Sequence, residues 1–134
     1  MMTKENIWIL IIEDEITSRG IIASLLNRKG FDIICADNGK HAIDILKYCA
    51  PDCILLDLIM PRMHGQAFLT KLRETDKHTP VIIMSAISDQ PALVATLEHI
   101  GIQGWMPKPV DPELAAQKIK ELVEAKRKGR EAKA

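Results

Sequence analysis

No apolar run in this chain approaches the ~20 residues that a membrane-spanning helix requires; IWILII (7–12) stops at six. The opening residues, MMTKENIW, hold no apolar stretch of signal-peptide length, so a cytoplasmic location with no membrane contact is the expectation. Cysteine is scarce. Cys35, Cys49 and Cys53 are the only three, and no second Cys or His pair stands at zinc spacing from the last two. They read as buried free thiols in a reducing compartment. The formal net charge is zero, so no overall field steers the molecule to nucleic acid. His41, His64, His78 and His99 are scattered without ligand spacing, and Met60 and Met63 around Pro61 read as loop packing. Internal repeats and low-complexity linkers are absent too, and 134 residues suit one domain.

What charge there is lies unevenly. Lys126, Arg127, Lys128, Arg130 and Lys133 stand against Glu131 in residues 126–134, a local +4 that leaves −4 on the rest. This predicts a domain over 5–125 and a basic, mobile tail over 126–134. The tail reads as a solvated extension of the last helix, the start of a linker, or a contact for an acidic partner. It is too short and too poor in aromatics to suggest nucleic-acid binding.

The body of the chain alternates short apolar runs with helical periodicity. IWILII (7–12), FDIICA (31–36), CILLDL (53–58) and VIIMSA (81–86) are too short for helices and suit strands buried on both faces; a fifth strand is expected over 102–106. Between them lie amphipathic stretches. Ile21, Ile22, Leu25 and Leu26 form a stripe in 16–29, closed by Gly30. Asn38 caps a helix that carries Ala42, Ile45, Leu46 and Cys49 inward and ends at Pro51. Gly65 opens a helix through Phe68, Leu69 and Leu72, and another runs from about Asp89 to His99 with Pro91 in its first turn. Asp111 caps a last helix with Pro112 first and Ala115, Ile119, Leu122 and Val123 inward. Five such βα units predict an α/β fold, a parallel sheet with right-handed crossovers and helices on both faces.

Ligands of open parallel sheets bind at the carboxyl ends of the strands, where strand order reverses. The first strand ends in Glu13-Asp14-Glu15, the third in Asp57, the fourth in Ser85-Ala86, and the fifth leads to Lys108-Pro109. Carboxylates pressed together repel, so some protonate or a cation joins them, and Mg²⁺ favours one or two carboxylates with waters and phosphate oxygens. Such a cation with an ammonium opposite stabilises a phosphoryl group in transfer, Ser85 can donate to its oxygens, and Asp57 can be the nucleophile. Glu15 also suits simple charge at a helix N-terminus and is left out of the site.

ILIIEDE (9–15), ILLDLIMPRMHG (54–65), VIIMSA (81–86) and WMPKP (105–109) stand in an order and spacing that resemble the signature segments of response-regulator receiver domains across roughly 7–125. That resemblance implies a doubly wound, flavodoxin-like three-layer sandwich with a five-stranded parallel sheet in order 2-1-3-4-5. It implies a phosphorylation-dependent signalling switch in a two-component phosphorelay, served by a histidine kinase or histidine phosphotransfer protein. A downstream protein would read the state from the face of the fourth helix, fifth strand and fifth helix. By motif position Asp57 is the phosphoacceptor, Asp14 a direct Mg²⁺ ligand, Glu13 a ligand through water, and Ile59 a ligand through its backbone carbonyl. Lys108 pairs with the phosphoryl group, and the Lys108–Pro109 bond is cis. Ser85 and Trp105 hold the two switch positions, although an indole there also suits permanent packing. Ile59 and Ile87, both apolar, border the path of the hydrolytic water and predict slow dephosphorylation.

Two other readings stand beside this one. A magnesium-dependent phosphohydrolase on a similar sheet usually needs a second acid close after the nucleophile, where this chain has Leu58 and Ile59. That disfavours turnover of outside substrates, so no enzyme beyond self-phosphorylation and self-dephosphorylation is expected. A receiver half of a longer DNA-binding regulator is the other; nothing after Val123 could form a helix-turn-helix, so direct nucleic-acid binding by this chain is not expected.

Overall fold

A computed structural model describes residues 6–58, 65–86 and 90–133. Strands and helices alternate: β1 (Trp8–Ile12), α1 (Ile16–Arg28), β2 (Asp32–Ala36), α2 (Gly39–Leu46), β3 (Cys53–Asp57), α3 (Gly65–Thr75), β4 (Val81–Ser85), α4 (Pro91–Ile100), β5 (Gly104–Pro107) and α5 (Pro112–Lys133). All strand pairs are parallel, and the sheet order is β2-β1-β3-β4-β5, as the resemblance implied.

Alternation along each strand splits the core into two layers. Ile9, Ile11, Leu55, Ile82 and Met84 face one side and meet Ile22 and Leu26 of α1 with Ala115, Ile119 and Val123 of α5. Leu10, Ile12, Ile54, Leu56 and Ile83 face the other and meet Ala42 of α2, Phe68, Leu69 and Leu72 of α3, and Leu97 of α4. Every residue of β3 and β4 is buried, which is why these strands read as unbroken apolar runs.

The expected caps are present. The Asn38 side chain accepts from His41 N at 2.8 Å, and Asp111 accepts from Glu113 N at 2.9 Å. Gly30, with φ +96°, supplies the left-handed turn that closes α1. Elsewhere the structure corrects the sequence reading. Helix α2 stops at Leu46, where the chain tightens into a turn with Lys47 N on Asp44 O at 3.2 Å and Tyr48 N on Ile45 O at 3.0 Å. Cys49 is therefore exposed rather than buried, and Cys35 is half-buried; only Cys53 is a core thiol. Ile21 is exposed on α1 rather than part of its buried stripe. Strand β5 begins at Gly104, because the Gln103 side chain takes the Val81 N–H at 2.8 Å ahead of the ladder. The expected helix start at Asp89 lies outside the described residues. Residues beyond 125 continue α5, with Lys126 bonded to the Thr79 hydroxyl at 3.4 Å and Arg127 paired with Asp52 at 3.5 Å.

Candidate functional site

Strand order reverses between β1 and β3, whose neighbours lead away in opposite directions. A crevice opens at such a point because the following helices pack on opposite faces. Here α1 covers one face and α3 the other. Residues that end β1 and β3 are thereby delivered to the crevice from opposite walls.

Glu13 follows β1 with 1% of its surface exposed, and Asp57 ends β3 with 7% exposed. Lys108 reaches across from the segment after β5. Its Nζ lies 2.8 Å from both carboxylate oxygens of Glu13 and 3.2 Å from Asp57 Oδ2. Asp14 is exposed beside them. One carboxylate oxygen from each of Glu13, Asp14 and Asp57 lies within 4.8 Å of the others. Three acids against one ammonium leave negative charge in excess. Burial first, and then Asp57, pushes the Glu13 carboxyl up to about 7 against the pull of Lys108. Burial works against the Lys108 ammonium, but its bonds to the two acids outweigh that and raise its pKa above the ordinary lysine value. An all-oxygen donor set with unbalanced charge suits a hard divalent cation and offers nothing to a soft one.

Several details hold this corner in place. Gly65 N donates to Leu58 O at 3.0 Å, and a Cβ on Gly65 would stand 2.8 Å from Leu58 Cα and 2.9 Å from Asp57 O. Only glycine lets α3 begin this close to the end of β3. The sequence marked Gly65 as a helix start but gave no sign of this approach. Arg19 was missed outright: its guanidinium donates to Glu13 O at 2.9 Å. Glu15, left out of the site, caps α1 by accepting from Thr17 N at 3.1 Å and Ser18 N at 2.6 Å. Those bonds hold its carboxyl below the ordinary value.

Ser85 ends β4 with 3% exposed, and its carbonyl accepts from Lys108 N at 3.0 Å. The Lys108–Pro109 bond is cis, as expected. Trp105 pairs with Ile83 in the sheet and is half-buried against the α2–α3–α4 layer. It also lines a cleft of about 350 Å³ with Leu114, Gln117, Lys118 and Glu121 of α5. Ile59 and Ile87 lie outside the described residues.

A family model, the response regulator receiver domain, matches residues 9–120. The chain belongs to that family. Among curated relatives, this receiver is 36% identical over 115 residues to the transcriptional regulatory protein SrrA of Staphylococcus aureus, covering 86% of this chain and 47% of that one. It is 33% identical over 122 residues to the probable transcriptional regulator ycf27 of Porphyridium aerugineum, covering 91% and 49%. The chain thus spans about half the length of these relatives. Among solved structures, the receiver domain of Francisella response regulator 1452 superposes with TM-score 0.81 at 26% identity, over 90% of this chain and 98% of that one. Vibrio cholerae chemotaxis protein CheY4 shares the fold, with TM-score 0.82 at 24% identity over 88% and 99%. Among the described residues no helix is long and apolar enough to cross a membrane.

Proposed function

We propose that this receiver is a phosphorylation-driven switch in a two-component relay, with Asp57 as the phosphoacceptor. The observation that carries the reading is the meeting of Glu13, Asp14, Asp57 and Lys108 at the strand-order reversal. In the transfer, one Asp57 carboxylate oxygen attacks phosphorus. The P–N bond to the donor imidazole breaks, and the imidazole leaves with the bonding pair. Lys108 is already within reach of Asp57 and offsets charge on the phosphoryl oxygens; Ser85 donates a hydroxyl hydrogen bond to one of them. Asp14 and Asp57 would hold Mg²⁺ directly, with Glu13 through water and the Ile59 backbone carbonyl completing the protein's share. Bound there, Mg²⁺ supplies positive charge that lets the carboxylates and a phosphoryl group coexist.

The donor is a histidine kinase or a histidine phosphotransfer protein. Readout runs from Ser85 to Trp105, which moves inward as the hydroxyl shifts toward the phosphoryl group, and so changes the α4–β5–α5 face offered to a downstream protein. Exposed Leu114 beside the Trp105 cleft supports that face as the contact. Structures with and without beryllofluoride test this step, and an identical Trp105 rotamer in both excludes it. Apolar Ile59 and Ile87 give the phosphorylated state a long life, since neither can orient a water. The Ile59→Asn, Ile87→Glu double variant should lose its phosphoryl group about tenfold faster, an effect of ~1–2 kcal/mol on the barrier.

Intact-mass measurement after incubation with a small phosphodonor and Mg²⁺ tests the main reading. The wild type should gain one phosphoryl group and Asp57→Asn none; an undiminished adduct on the variant refutes the acceptor assignment. The length of the curated relatives favours one further reading, in which this receiver is the regulatory portion of a longer transcriptional regulator. The gene's full reading frame decides that.

A further inference from the structure

The backbone of Glu13 is held on both sides. Its N–H donates to Ala36 O at 3.1 Å, and its carbonyl accepts from Arg19 Nη1 at 2.9 Å. Its carboxylate is held by Lys108, so the residue is fixed at three points. Asp14, the next residue, is exposed, and no hydrogen bond to another described residue holds its carboxylate. The carbonyl of Glu13 and the N–H of Asp14 belong to one rigid peptide plane. Whatever fixes that carbonyl therefore fixes the direction in which the chain enters Asp14.

Arg19 is well placed to do so. It lies in the first turn of α1, its N–H bonded to Glu15 O at 2.9 Å, in a turn that the Glu15 carboxylate caps. From there the guanidinium reaches back over the β1–α1 connection. We infer that Arg19 is a positioning residue for the acidic corner: by gripping the Glu13–Asp14 peptide it aims the Asp14 carboxylate at the point shared with Asp57. This inference rests on the magnesium reading above.

A different role for Arg19 predicts the opposite sign. If it acted only through its charge, a cation near three carboxylates would weaken the binding of a second cation, and neutralising it would tighten Mg²⁺ binding. If it positions Asp14, neutralising it weakens binding, as loss of an outer-shell partner typically does by 10-fold or more.

The test is a titration of the whole chain with Mg²⁺ alone, followed by calorimetry and by the Asp14 amide resonance, with thermal melts to establish folding. Arg19→Gln should shift the Asp14 amide before any metal is added and weaken Mg²⁺ about tenfold. Unchanged or tighter binding in a folded Arg19→Gln overturns the inference. Should that variant not fold, Arg19→Lys carries the test: it keeps the charge but loses the planar fork. It should bind about threefold more weakly, and wild-type affinity overturns the inference. If the wild type itself takes up no Mg²⁺, the magnesium reading falls, and the inference with it.

Discussion

The two edges of the sheet carry comparable amounts of buried polar chemistry and resolve it in opposite ways. At the amino edge, Arg73 is buried, yet its guanidinium donates to Gly101 O at 2.9 and 3.0 Å, Thr79 O at 2.8 Å, Asp76 O at 3.0 Å and Gln103 Oε1 at 3.1 Å. Asp76 nearby accepts from the Thr79 hydroxyl at 2.5 Å, Thr79 N at 3.0 Å and His78 N at 2.9 Å. Burial alone would raise its pKa, but those donors and the Lys126 charge outweigh it, and its carboxyl sits below the ordinary value. Mostly neutral partners meet each charge, and the result is a brace joining α3, β4 and the α4–β5 connection. At the carboxyl edge Glu13 shares the Lys108 ammonium with a second carboxylate, and burial together with Asp57 raises its pKa despite that ammonium. Burial is the largest influence on both acids and pushes both upward. At Asp76 the donors and the Lys126 charge reverse it, whereas at Glu13 Asp57 adds to it. A satisfied network rigidifies, whereas crowded like charges leave their repulsion unbalanced in the metal-free fold.

Four measurements would break or sharpen this contrast. The largest effect is expected at the brace. Arg73→Met leaves the buried Thr79 carbonyl and the part-buried Gly101 and Asp76 carbonyls without this donor and should cost about 3 kcal/mol in chemical denaturation. A loss under about 1 kcal/mol would mean that water replaces the guanidinium easily.

Next in size is Gly65→Ala, where the added methyl meets backbone on two sides. About 2 kcal/mol of destabilisation is expected, along with a shift of the Asp57 amide resonance. An undisturbed Asp57 would show that α3 can withdraw without touching the site.

A smaller effect of opposite sign is expected from Asp57→Asn. It removes one of three crowded carboxylates while leaving Lys108 its bonds to Glu13. The metal-free protein should gain about 1 kcal/mol, so the melting temperature rises. A fall in melting temperature would place Asp57 with Arg73 as a structural residue.

The last contrast is in pH dependence, where the two edges should differ in direction. In the metal-free fold Glu13 titrates at about 7, above its ordinary 4.5. Between those values the folded chain holds a proton that the unfolded chain lacks, so stability falls as pH rises through the window. Asp76 lies below its ordinary 3.8. Its contribution is therefore in place above 3.8 and is lost as pH falls toward the folded value. Melting curves across pH should lose the 4.5-to-7 slope in Glu13→Gln and part of the acid limb in Asp76→Asn. A slope that survives Glu13→Gln unchanged assigns the raised group elsewhere.

The architecture was legible because its signals are local. Strands of five apolar residues, an Asn or Asp ahead of a helix and a proline in a first turn each act through neighbours in the chain, and all five βα units lie where those signals put them. The misreadings arose where a distant side chain or a late turn competes. Gln103 takes the N–H that the fifth strand was expected to pair, and the turn after Leu46 sends Cys49 to the surface although the helical period points it inward.

The site divides in the same way. Placing Glu13, Asp14, Asp57, Ser85 and Lys108 at one edge required only strand ends and the rule that parallel strands share a direction, so the sequence by itself determined which groups meet. Their balance of charge it could not determine. That Lys108 is shared between Glu13 and Asp57, that Glu13 is buried while Asp14 is exposed, and that Arg19 grips the chain between them depend on ångström-scale distances between residues up to 95 positions apart. Hydrogen bonding and desolvation vary steeply over such distances, and only the packing of α1 and α3 against the sheet sets them.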